Sequence, residues 1–171
     1  MRLFFALWPD VQTQHAWHDG LAPYLAPLGG RRMPAANLHL TLAFLGDVRG
    51  DRMSELLRLG DDLASGALSL RFDHLEYWKK PGLVCLRTAD TPPALARLAG
   101  QLGTGLDMAG FAVERRQFKP HVTLARDVPV GMASLPVWPV VEWQVPAVAL
   151  VRSRLAAGGS EYAVLHEWRL G

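Results

Sequence analysis

Asn37-Leu38-His39-Leu40-Thr41-Leu42-Ala43-Phe44-Leu45-Gly46 has a partner in the second half of the chain, Phe118-Lys119-Pro120-His121-Val122-Thr123-Leu124-Ala125-Arg126. Both contain His, an aliphatic residue, Thr, Leu and Ala in that order. Read as strands, successive side chains alternate faces. His39 and Thr41 then share one face, and Leu40, Leu42 and Phe44 the other. His121 and Thr123 face away from Val122 and Leu124 in the same way. A duplicated strand with one greasy and one polar face predicts two related halves, with two imidazoles and two hydroxyls turned toward a common cleft. By the same alternation Phe44 belongs to the core.

Working outward, residues 3–8 are apolar and β-prone and predict a buried strand. Asp10 is placed to cap a helix through His15, Trp17 and Leu21 that fails near Pro23–Pro27 and ends by Gly29-Gly30. The first motif predicts a strand from Asn37 to Leu45, stopped at Gly46-Asp47. A helix follows over about 51–65, with Leu56, Leu57 and Leu63 buried. Leu68 to Glu76 alternates as one half-buried strand. Lys79-Lys80-Pro81-Gly82 forms a turn into a strand from Leu83 to Arg87. Thr91 is placed to cap a helix with Pro92 in its first turn. That helix buries Leu95, Leu98, Ala99, Leu102 and Leu106 and stops at Gly110. Strands are predicted at Phe111–Val113 and His121–Ala125, an irregular crossover at 128–141, and two last strands at about 143–153 and 161–170 around a Gly158-Gly159 turn. Strands and helices mix without strict alternation, so the fold class is α+β with mainly antiparallel sheets. Residues 1–171 read as one domain of two lobes.

Composition narrows the partners. Of 171 residues half are hydrophobic and a fifth charged, as in an ordinary globular protein. No stretch is apolar enough for a membrane span, and Pro9-Asp10 ends the first apolar run too early for a secretion signal. The single cysteine, Cys85, excludes an internal disulfide and fits a reducing, cytoplasmic setting. It lies in an apolar run and reads as core, not as a nucleophile. A net charge of +2 is too weak for a nucleic-acid coat protein but permits a local basic cleft, for which Arg31-Arg32 and Arg115-Arg116 are candidates. With no obvious exposed apolar stripe, a monomer is the default.

Two imidazoles across a cleft suit displacement at phosphorus. One, neutral, takes a proton from water; the other, protonated, gives one to the leaving oxygen, and histidine does either near neutral pH. Thr41 and Thr123 are placed to bond phosphate oxygens. Arg126, just past the second motif, supplies fixed positive charge. No cofactor is called for: the motifs offer two nitrogens with no third ligand at zinc spacing, and no phosphate-binding glycine loop supports ATP use. His15, His18, His74 and His166 are assigned no role.

These motifs are where the chain resembles the 2H phosphoesterases, named for two His-x-Thr motifs, and within them the RNA 2′,3′-cyclic phosphodiesterases, also called 2′-5′ RNA ligases. The resemblance also covers Arg2-Leu3-Phe4-Phe5-Ala6-Leu7 and Leu150-Val151-Arg152-Ser153 with Tyr162 and Trp168. Met33 stands where the family often has an aromatic residue. The resemblance implies a bilobal fold with two pseudo-symmetric sheets, flanked by helices, around a central cleft. It implies opening of a cyclic phosphate on an RNA end or nucleotide to a 2′-phosphate, with no metal and no ATP. His39 is then proton donor, His121 proton acceptor, and Thr41, Thr123 and Arg126 bind the phosphate. Phe118 is a candidate for stacking on a base, against an equal reading as a core aromatic. Two alternatives remain at this stage: ATP-independent 2′-5′ joining by the same residues, and a non-catalytic RNA- or nucleotide-binding module.

Overall fold

The computed structural model describes residues 1–63, 66–114, 117–129, 139–157 and 159–171. The elements run β1 (Arg2–Leu7), α1 (Val11–Gly20), α2 (Ala22–Leu25), β2 (Arg31–Arg32), β3 (Leu40–Asp47), α3 (Met53–Asp61), β4 (Leu68–Phe72), β5 (His74–Trp78), β6 (Leu83–Arg87), α4 (Pro93–Met108), β7 (His121–Arg126), β8 (Val141–Val145), β9 (Ala147–Ala156) and β10 (Gly159–Arg169). The fold is mixed α+β. The two expected sheets are the halves of one antiparallel sheet, in the order β10-β9-β1-β3-β7-β6-β5 with β2 added beside β7. The halves join at β3 and β7 through the single pair Leu40↔Val122. A separate two-stranded sheet pairs β4 with β8.

Alternation on β1 shows how the layers divide. Leu3, Phe5 and Leu7 enter the main core with Leu56 of α3 and Leu95, Leu98, Leu102 and Leu106 of α4. Phe4 and Ala6 point the other way and form a small second cluster with Ala149 and Val151, edged by Trp8 and Tyr162. Burying a leucine or phenylalanine side chain contributes about 1.5–3 kcal/mol, so the helix-covered face carries most of the stabilisation. The opposite face is left for function. At α3, Gly60 lies under the Trp168 ring, where a β-carbon would come within 2.1 Å. The indole Nε1–H donates to Asp61 Oδ1 at 2.8 Å, which pins helix to sheet.

Several expected elements differ. Asp10 caps α1 as expected, its carboxylate accepting from the Thr13 N–H at 2.7 Å. Thr91 does not cap α4, however. Pro93 takes the first helical position, so Pro92 becomes the cap and offers no side-chain bond. The strand expected from Leu68 to Glu76 is two strands, β4 and β5, which leave Asp73 for different sheets. The one expected at 143–153 is divided at Pro146, which has no N–H for a ladder. Phe111–Val113 forms no strand; Phe111 is buried and its ring lies 3.7 Å from the Arg52 guanidinium carbon. Arg115-Arg116, residues 130–138 of the expected crossover and Gly158 lie outside the described residues.

Candidate active site

Leu40 and Val122 face the core, so the residues flanking them face the other way. Extending their antiparallel register one residue each way sets His39 opposite Thr123 and Thr41 opposite His121. The four side chains form a rectangle on the face away from the helices, with the two imidazoles on one diagonal. A pseudo-twofold axis passes through the Leu40–Val122 pair.

Both imidazoles are held alike. His39 lies just ahead of β3, after a turn at Ala35–Asn37, and its Nδ1–H donates to the Asn37 carbonyl at 2.7 Å. The Asn37 side chain donates in turn to the Ser160 carbonyl at 2.8 Å, tying this turn to β10. His121 Nδ1–H donates to the Lys119 carbonyl at 2.8 Å. A backbone carbonyl can only accept, so Nδ1 keeps its proton and Nε2 is the exchanging nitrogen in both rings. His39 Nε2 lies 3.1 Å from Thr41 Oγ1, which donates to it when the ring is neutral.

The surroundings of the two rings differ. Trp8 stacks on His39 at 5.3 Å and 17°, Tyr162 meets it edge-on at 5.1 Å, and Phe4 lies 5.0 Å away. Burial among these rings pushes His39 down from 6.5 to about 4, against the Asn37 carbonyl, and the positive charges of His121 and Arg126 add to the depression. His121 lies 4.6 Å from the Trp78 ring, and across the ladder it is paired with Arg87. Burial also lowers its pKa below 6.5; the Lys119 carbonyl and Glu76 oppose this, and Arg87 and Arg126 reinforce it. Arg87 is ion-paired with Glu76. Cys85 is fully buried opposite Thr123, and burial pushes its thiol up to about 12, so it stays protonated and inert.

A feature that alternation does not reveal decides what else joins this face. Thr41 opposes Ala6 and Ala43 opposes Phe5, so Leu42 is an extra, bulged residue. Thr123 opposes Cys85 and Ala125 opposes Val84, so Leu124 is bulged at the equivalent place. One extra residue reverses the alternation beyond it. Arg126 is thereby turned onto the histidine face, and so is Phe44. The expectation that Phe44 is core is corrected: it is 53% exposed, with its ring 5.8 Å from Phe4. Phe118 is half-buried and packs on the main core. The aromatic residues around His39 were missed, although even-numbered positions of β1 already pointed Phe4 away from the core.

With this geometry in hand, comparison with known proteins is informative. The LigT-like phosphoesterase family model matches residues 7–85. The RNA 2′,3′-cyclic phosphodiesterase of Escherichia coli K12 is 32% identical over 99% of this chain and 96% of its own length. This chain belongs to the LigT-like phosphoesterases of the 2H superfamily. A Thermus thermophilus protein of the same name is 32% identical over 99% of this chain and 90% of its own. Among solved structures, E. coli LigT complexed with 3′-AMP superposes with a TM-score of 0.88 at 31% identity, covering 99% of this chain and 97% of that one.

Proposed function

We propose that this LigT-like protein hydrolyses RNA 2′,3′-cyclic phosphate ends to 2′-phosphomonoesters, with His121 as general base and His39 as general acid. The observation that carries this reading is the rectangle of two histidines and two threonines, with both Nδ1 atoms fixed by carbonyls and Arg126 turned to the same face. The E. coli and T. thermophilus relatives named for this reaction support it.

The chemistry follows from the groups present. Water attacks phosphorus in line with the bond to O3′, and His121 Nε2 takes its proton. As that P–O3′ bond breaks, His39 Nε2–H protonates O3′. The products are a 2′-phosphate and a 3′-hydroxyl, and proton exchange with solvent resets the pair. Thr41 and Thr123 bond the non-bridging oxygens, and Arg126 offsets their charge. Burial among the aromatic rings opposes a charged His39 in the free protein, and the substrate anion supplies the opposite charge that favours it. No step calls for a metal, because side chains supply acid, base and counter-charge. Incubating the protein in excess EDTA, without ATP, with a short RNA ending in a cyclic phosphate tests this. A 2′-phosphate product is expected. A 3′-phosphate would reverse which oxygen leaves, and no turnover would favour a binding module.

The two depressed imidazoles set the pH dependence. The active free enzyme carries one proton on the pair. It forms below the higher imidazole pKa, itself under 6.5, and is lost again by double protonation near 4. A plot of kcat/KM against pH should therefore peak between about 4 and 6.5 and fall above it. Bound phosphate raises both imidazole pKa values, so the alkaline limb of kcat should lie at higher pH than that of kcat/KM. A kcat/KM that climbs from pH 6.5 to 8 would contradict this account.

Phe44, more exposed than Trp8, Tyr162 or Trp78 on this face, is the residue we assign to stacking on a nucleobase. Phe44→Ala should raise KM for an RNA substrate by roughly tenfold with little change in kcat, since stacking contributes about 1–3 kcal/mol per base. Phe118→Ala should instead lower the melting temperature; a KM effect confined to Phe118 would exchange the two roles.

A further inference from the structure

β2 is only two residues long, and both are arginine. It pairs with the end of β7 in the register Arg31↔Arg126 and Arg32↔Ala125. Directly opposed residues share a face, so Arg31 stands beside Arg126 on the histidine side of the sheet. Arg32 is turned elsewhere and donates to the His18 carbonyl. Like charges directly opposite each other on neighbouring strands are destabilising. Among the described residues nothing neutralises this pair fully. Asp127 approaches Arg31 at 3.5 Å, but the two side chains are 52% and 71% exposed, too loose and too wet for a strong pair. On its other side the Arg31 guanidinium reaches toward the β9–β10 tip, where a β-carbon on Gly159 would come within 3.3 Å of Nη1. Arg31 thus lies between the two halves of the sheet. Arg126 is among the charges that bear on both imidazoles, and Arg31 is among those of neither.

Two adjacent guanidiniums, Arg126 at the end of the His121 strand and Arg31 across the ladder from it on β2, suit two anionic groups in series. We propose that Arg31 binds the phosphate on the 5′ side of the nucleotide that carries the cyclic phosphate, so that the site selects the end of an RNA chain over a bare nucleoside 2′,3′-cyclic phosphate. This rests on the reading of the site as a cyclic phosphodiesterase. Arg126 then serves the reacting phosphate and Arg31 the next one along, a contact that positions the strand without reading sequence. The negative charge arriving between the two arginines also relieves their repulsion.

Three substrates test it: adenosine 2′,3′-cyclic phosphate, the same nucleotide bearing a 5′-phosphate, and a short RNA with a cyclic end. In Arg31→Gln, kcat/KM should fall about tenfold for the two substrates with a 5′-side phosphate, as for loss of one charge-assisted hydrogen bond. It should be unchanged for the bare nucleotide. Arg31→Lys should restore part of the loss, and the log–log salt dependence on RNA should flatten by about 0.7 in Arg31→Gln. Equal losses on all three substrates would reduce Arg31 to a structural role, and no loss on any would remove it from the site; either result overturns the inference while leaving the phosphodiesterase reading intact. A wild-type protein that opens none of the three would instead overturn that reading, and this inference with it.

Discussion

His39→Ala and His121→Ala should each lower kcat for cyclic-phosphate opening by about 10²–10⁴-fold, the usual worth of one positioned acid or base. The two variants should differ in what remains. Without His39, residual turnover depends on a neutral His121, so it rises with pH to a plateau and the alkaline limb disappears. Without His121, turnover depends on a protonated His39, and the acid limb disappears instead. Exchanged limbs would exchange the roles of acid and base. On the proposed mechanism, in which acid and base serve one displacement, the double variant should lose little more than the worse single one. Cooperative thermal melting of each variant separates a chemical loss from a folding one. A single variant that keeps wild-type kcat would remove that histidine from the reaction.

The site was legible where the chemistry is written as a local repeat. His39, Thr41, His121 and Thr123 share a face because alternation within each motif is regular up to the bulge. Beyond it the same rule fails, since an inserted residue is set by pairing with β1 and β6, which the local pattern does not record. Phe44 was misplaced for that reason, and the equivalent bulge at Leu124 explains how Arg126 reaches the histidine face. The elements were legible where one hydrophobic period covers one partner, as in β1, α4 and β7. They were misread at Asp73-His74, where the buried positions shift phase from Leu68, Leu70 and Phe72 to Leu75 as the chain leaves one sheet for another. Trp8, Tyr162 and Trp78 were given no place in the site, because nothing in their local sequence ties them to either motif. Here the rings come from separate parts of the sheet and meet the imidazoles only in the folded chain.

Removing Arg126 should give the second large effect, and its signature is distinct from that of either histidine. Arg126→Leu should lower kcat by about 10²–10³-fold, the loss expected when one preorganised donor to a developing oxyanion is deleted. Its guanidinium also depresses both imidazoles, so its loss should move the alkaline limb of kcat/KM to higher pH while the maximum falls. The sign follows directly: a positive neighbour disfavours imidazolium, and without it each ring holds its proton to higher pH. Arg126→Lys keeps the charge but not the planar fork, so it should leave the limb nearly in place and recover only part of kcat. Arg126→Lys makes the readout decisive, because a variant that merely loosened β7 would also expose His121 and move the limb upward, whereas the lysine keeps the charge and should hold the limb in place. A fall in kcat with an unmoved limb would show that the Arg126 charge does not govern the imidazoles. A moved limb with unchanged kcat would make it a regulator of the imidazoles rather than a phosphate ligand.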